Sequence, residues 1–303
     1  MRTPRFHRHN ASVLSNAAST VLWAYFLFGI VFAIGLVEII RRGRWQHARG
    51  LDKLVLFGPL FYAAPIAGFG TEHFTVGKAI AAVIPAWIPA HLFCVYVVGA
   101  CLIAAGFSLV TGIQERLAAG LLALMFFLFV LIMDLPSWAH TPGDRFAAAL
   151  ALRETAFSGG ALALAATLTE KARGRGAPIL VAIARYFIAI PVLFYSLQQF
   201  LHADHVAAIP LDRLTPPYIP ARLLWTYLCA AAYAVLGILL LAGRKTRVAA
   251  TSLGLTVFFV ELVVYVPIGV ADRATIVGFN YMADTLMFCG AILLLAGALP
   301  HEP

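Results

Sequence analysis

Residues 85–92, Pro85-Ala86-Trp87-Ile88-Pro89-Ala90-His91-Leu92, return 131 residues later as Pro216-Pro217-Tyr218-Ile219-Pro220-Ala221-Arg222-Leu223. At the same offset Gly106 meets Gly237, Gly112 meets Gly243, Arg116-Leu117-Ala118-Ala119 meets Arg247-Val248-Ala249-Ala250, and Pro136 meets Pro267. Upstream, Pro65 followed by Glu72-His73-Phe74 matches Pro191 followed by Gln198-Gln199-Phe200 at a slightly smaller offset. Downstream, Glu154 is paired with Asp284. Self-similarity at a fixed period marks a duplicated structural unit.

The chain around this repeat is 62% hydrophobic and 12% charged, well beyond the roughly 45–50% apolar usage of soluble domains. Apolar residues form long continuous runs instead of the alternation of a membrane barrel. Helices are then the structure that satisfies every backbone group inside hydrocarbon. Runs of about 20 apolar residues suffice to span a bilayer. They occur at 17–40, 53–71, 90–112, 116–137, 146–168, 178–199, 221–243, 247–270 and 275–298. The expected fold is an all-α polytopic bundle of about nine spans. It divides into an N-terminal tail, extra helix and basic link (1–52), a four-helix unit (53–168), a basic linker (169–177) and a second four-helix unit (178–303). Four helices return each unit to its starting side, so the repeats are parallel.

Arg2, Arg5 and Arg8 precede the first run as in a signal peptide, but that run is too long for an h-region and lacks a small-residue cleavage site, so it reads as a retained span. Arg41, Arg42, Arg44, Arg49, Lys171, Arg173, Arg175, Arg244 and Lys245 crowd one set of connections, which places that side in the cytoplasm. The N-terminus is then outside, the C-terminus is cytoplasmic, and the expected home is the bacterial inner membrane. The net charge of +8 reads as topology and as attraction of the 41–53 link to anionic lipid, not as a nucleic-acid surface. Cys94, Cys101, Cys229 and Cys289 lie in apolar runs without a CxxC pair, which argues against thiol redox chemistry.

Ionisable residues inside spans are costly and mark function. By depth, Glu72, His73, Asp134, Arg153 and Glu154 of the first unit fall in the outer half, together with Gln198, Gln199, Glu261 and Asp284 of the second. Arg153 and Glu154, being adjacent on a helix, point about 100° apart and call for separate partners, Asp134 among them. One reading makes them helix-interior charges neutralised by neighbours. The sharper one gives Glu72, His73 and Glu154 a role in exchanging protons with a bound quinol, with Asp134, Arg153, Gln198, Gln199, Glu261 and Asp284 lining the ligand site. His91, His140, His202, Asp204 and His205 sit on the same side, but their spacing lacks a zinc-helix pattern and no metal is expected. Arg185, toward the cytoplasmic end of its span, reads as a snorkelling side chain.

The unit resembles the DoxX family of small four-helix membrane proteins. The residues that carry the resemblance are Glu72-His73-Phe74 at the end of the first helix, the Pro-rich segment after it, the Gly-rich second helix ending at Gly112, and the basic turn and Ala pair of Arg116 to Ala119. It spans residues 53 to 168 and, more faintly, 178 to 298, where Gln198-Gln199 departs from the first copy. The resemblance implies a helix-bundle membrane component, with some relatives in quinol oxidation or thiosulfate:quinone oxidoreduction and many without known activity. One expected role is that of a quinone-linked redox subunit, with quinone as a candidate for an otherwise unknown cofactor and a partner subunit supplying the electron acceptor. A small-solute transporter or a non-enzymatic scaffold is the alternative.

Overall fold

The structure, a computed structural model, describes residues 6–173, 177–206 and 213–300. Arg2, Arg5 and Arg175 lie outside the described residues. Helix α1 (Phe6–Arg41) is followed by two short helices, α2 (Arg44–His47) and α3 (Asp52–Val55), within the basic link. The first unit holds α4 (Gly58–Thr75), the short α5 (Gly77–Ala81), α6 (His91–Thr111), α7 (Glu115–Phe129), α8 (Leu135–His140) and α9 (Arg145–Arg173). The second holds α10 (Pro178–Leu201), α11 (Arg222–Leu241), α12 (Thr246–Val260), α13 (Val266–Ala271) and α14 (Ile276–Ala298).

Among the described residues, eight helical stretches are long and apolar enough to cross a membrane. The chain is thus an all-α polytopic bundle. The ninth expected span, at 146–168, is the exception. Its helix α9 is 29 residues long, but Arg153 and Glu154 interrupt its apolar run. It also continues through Arg173, so the linker expected from 169 starts as helix.

Helices α7 and α8 form one continuous rod joined by a π-turn at Val130–Asp134, and α12 and α13 are joined the same way at Glu261–Tyr265. Pro136 and Pro267 follow these turns. A proline lacks the N–H for its i−4 carbonyl and clashes with that oxygen, so the helix widens locally. In the second unit the hydroxyl of Tyr218 donates to the carbonyls of Val263 (3.2 Å) and Val264 (3.3 Å), occupying the acceptor that Pro267 leaves open. Burial pushes the Tyr218 phenol above its usual range.

The 131-residue offset recurs in backbone detail. The π-turns are that far apart, as are the left-handed residues Ala90 and Ala221, Gln114 and Lys245, and Gly112 and Gly243. Ser158 donates to the Ala123 carbonyl at 2.8 Å, and Cys289 contacts the Gly254 carbonyl at 3.3 Å, both residues one offset onward. In this register the counterpart of Asp284 is Arg153, one residue from the Glu154 expected from the sequence.

Helices α9 and α14 pack against each other in the middle, and each also packs on the first helix of the other unit, α14 on α4 and α9 on α10. Helix α14 is buried without a break from Ala283 to Ala296, as befits a helix surrounded by others. Between lipid-soluble helices, close van der Waals packing of small residues replaces hydrophobic gain. Gly70 faces Gly99 across α4 and α6, and Gly160 faces Ala291 across α9 and α14.

One end of the bundle is tied by arginines that satisfy helix C-terminal carbonyls, groups a helix leaves unpaired. Arg42 of the link donates to Thr111 O at 2.6 Å, Arg185 donates to Leu240 O, and Arg247 donates to Ala296 O at 2.8 Å and to Asp52 at 2.8 Å. Arg185 therefore caps α11 where the sequence suggested a snorkelling side chain.

A Cβ at Gly290 would lie 2.5 Å from the Tyr62 backbone N and 2.7 Å from Phe61 C, whereas at Gly120 it would meet nothing within 4 Å. Gly290→Ala should cost about 1–3 kcal/mol by forcing α14 off α4, while Gly120→Ala should be neutral or stabilising by up to about 1 kcal/mol. Unfolding titrations in mixed micelles check both; equal effects would contradict this packing.

Candidate functional site

The half of the bundle away from the arginine-capped end contains a buried charge cluster. Arg153 lies eight residues into α9 and Asp284 eight residues into α14, about 12 Å along each helix. The Arg153 guanidinium donates through Nη1 to Asp284 Oδ2 at 2.8 Å and through Nη2 to Glu154 Oε1 at 2.9 Å. It also lies 5.8 Å from the centroid of the Phe157 ring. The first bond joins the two central helices. The second corrects the expectation of separate partners, because the long arginine side chain folds back to its neighbour's carboxylate.

Two more carboxyls stand within electrostatic reach of this guanidinium. Asp134 ends the first π-turn, and the extra residue of that turn rotates the helix locally. Glu72, near the C-terminus of α4, is 8% exposed and hydrogen-bonded to the side chain of Asn280, one turn before Asp284 on α14. Four carboxyls thus gather around one guanidinium. Glu72 Oε1, Asp134 Oδ2, Glu154 Oε2 and Asn280 Oδ1 are buried without a hydrogen-bond partner, which leaves acceptor capacity at a depth where an unmet polar group is costly.

His73 follows Glu72 on α4. Its Nδ1 lies 2.8 Å from the Phe69 carbonyl. A carbonyl only accepts, so Nδ1 carries the proton and Nε2 of the neutral ring is left as a base. His73, Asp134, Arg153 and Glu154 line one cavity of about 220 Å³, whose remaining wall includes Ile80, Ile84, Val95 and Phe129. An apolar groove of about 710 Å³ between α6 and α7 shares Ile84, Phe129 and Met133 with it. The pocket thus offers a base, acids and a cation on one side and hydrocarbon on the other.

The residues singled out from the sequence separate into two groups. Glu72, His73, Asp134, Arg153, Glu154 and Asp284 come together. Gln198, Gln199 and Glu261 stand apart from the pocket lining. Gln199 Nε2 donates to Val206 O at 3.0 Å and so anchors the connection after α10. Glu261, 1% exposed in the second π-turn, has neither carboxyl oxygen bonded and lies within electrostatic reach of Cys289. Sequence reasoning missed Asn280, although its i,i+4 spacing to Asp284 places the two on one helix face.

The outer histidines do not share a helical face. His202 follows the last residue of α10, and His205 sits in an isolated bridge with Leu214. His205 Nδ1 is 2.8 Å from Asp204 Oδ1, and this hydrogen bond holds the Asp204 carboxyl below its usual range. Among the described residues, no group of three or more His, Cys, Asp or Glu is placed to hold a metal ion.

Comparisons with protein-family models, with curated proteins and with solved structures find no match to this chain.

Removing one member of a buried ion pair strands the other charge, at about 3–5 kcal/mol. Arg153→Met and Asp284→Leu should each destabilise the bundle strongly, and the double variant should lose at least about 1 kcal/mol less than the two single losses combined. Additivity within about 0.5 kcal/mol in a double-mutant cycle would show that the pair does not couple α9 to α14.

Proposed function

We propose that this integral membrane protein is the quinone-binding subunit of a membrane redox complex, with the quinone ring held beside His73, Asp134 and Glu154. The observation that carries this reading is a half-polar, half-apolar pocket, buried among spans, in which a base and two carboxyls keep unused hydrogen-bonding capacity. A quinone ring is planar and apolar with an oxygen at each end, so it suits apolar walls with a few convergent polar groups.

In the oxidising direction a quinol loses two electrons and two protons. His73 Nε2 and the carboxylates of Glu154 and Asp134 are the proton acceptors at the ring, and the two electrons leave for a flavin, haem or iron–sulfur acceptor held by a partner subunit. Arg153, fixed by Asp284, keeps the Glu154 carboxylate oriented and balances part of the acidic charge. Glu72 and Asn280, hydrogen-bonded to each other between α4 and α14, stand outside the pocket wall and serve the cluster from the unit interface.

In this reading the arginine-capped, basic end is the cytoplasmic face and the pocket lies in the outer half of a bacterial inner membrane. The resemblance to DoxX-like proteins agrees with this role. The excess of carboxyls over guanidinium also favours a second reading, in which the pocket carries a small cationic solute across the membrane without redox change.

Quinone extracted from the mildly purified protein should approach one per chain and fall at least tenfold in Glu154→Gln and Asp134→Asn, with folding retained. A wild-type protein free of quinone, or variants that keep it, would overturn the proposal. Flux of a cationic solute into liposomes, lost in the same variants, would establish the second reading instead.

A further inference from the structure

The groove between α6 and α7 differs from the matching positions of the second unit at its floor. On α6 it is floored by Ala104, Ala105 and Ser108, and on α7 one wall is Leu128. One offset onward these positions are Val235, Leu236, Leu239 and Phe259. Each is larger, and the Phe259 ring packs 5.5 Å from that of Trp225.

Two positions of the polar pocket also carry larger residues in the second unit. Cys94 and Asp134 of its lining have Trp225 and Tyr265 as counterparts, and the Tyr265 side chain is completely buried. Glu154 has the smaller, uncharged Thr285, also completely buried. Elsewhere along the same lining the second unit's counterparts are smaller, with Ser252 for Leu121, Thr256 for Met125 and Val260 for Phe129. The two units thus differ in the floor of the groove and at the pocket mouth and not in the whole wall.

The groove adjoins the pocket through Ile84, Phe129 and Met133. From Met133 it follows α7 to Leu117, about 24 Å of helix, most of the roughly 30 Å hydrocarbon thickness of a bilayer. Its polar lining residues, Ser108 and Gln114, fall toward the end remote from the pocket. Cys101 and Ala104 on its wall are exposed on the bundle's flank, so the groove opens sideways into lipid.

We infer that the pocket's ligand enters laterally from the bilayer and lays a long hydrocarbon tail along the α6–α7 groove while its polar ring occupies the pocket beside His73 and Glu154. This rests on the quinone reading and narrows it to a long-tailed quinone, with the tail supplying a large part of the affinity. Each buried CH₂ of such a tail gains contacts with groove atoms that bulk lipid offers less tightly, since a fitted wall gives closer packing than a fluid chain.

The test uses the full chain in nanodiscs and two probes, a benzoquinone bearing a decyl tail and the same ring without it, with affinities expressed per bilayer mole fraction for the tailed probe. One variant, Ala104→Val with Ala105→Leu and Ser108→Leu, gives the groove the second unit's residues. A second, Ala104→Trp, fills it from an exposed position that leaves the core untouched. The wild type should bind the tailed probe at least tenfold more tightly, and both variants should lose that advantage while the tail-less ring stays within twofold. If the ring binds but shows no tail advantage, or the variants keep it, the groove assignment falls alone. If the wild type binds neither probe, the quinone reading falls and the groove assignment falls with it.

Discussion

The Arg153 guanidinium, held between Asp284 of one central helix and Glu154 of its own, is the contact on which the rest of the site depends. A lone charge at this depth is expensive in hydrocarbon. The bond to Asp284 fixes the position of α9 against α14 and so aligns the halves of the chain. The bond to Glu154 fixes that carboxylate in the wall of the pocket. The same interaction therefore bears on assembly and on the proposed chemistry, in which Glu154 acts beside His73 and Asp134.

Around that point the packing is made by small residues. Gly290 against the Phe61–Tyr62 backbone and Gly160 against Ala291 bring α14 within reach of α4 and α9, and that closeness lets Asn280 reach Glu72. The π-turn before Pro136 delivers Asp134 into the same space. The turn before Pro267 ends instead in Tyr265, which is completely buried and stacks on Tyr281 at 6.2 Å. One backbone device thus presents an acid in one unit and a space-filling ring in the other.

The spans were legible because apolar runs of sufficient length have few other uses. Their ends came within a few residues of the helices observed except at the start of α1, which begins at Phe6, and the end of α9, which runs on to Arg173. Helix α9 was legible by length, although its charges keep it below the hydropathy of the other spans. Which polar residues converge was less legible, since hydropathy fixes depth and leaves rotation free. Glu72, Arg153 and Asp284 share both depth and direction. Glu261 shares depth alone, and Gln199, at the place of His73, turns to a connection. The link between Arg153 and Glu154 was hidden because ideal helix spacing ignores the reach of an arginine. Asn280 was passed over because a single amide in a span gives no signal until its i,i+4 partner is known to be in the site.

The most direct test of the central claim, that one unit of the two holds an amphiphile beside Arg153 and Glu154, is photolabelling of the membrane-embedded chain with an azido-quinone, followed by mapping of the labelled peptides. The account predicts label on the segment from Val76 through Asp134 and on the start of α9, with the corresponding segments of the second unit unlabelled. Equal labelling of both units, or label confined to the second, would contradict it.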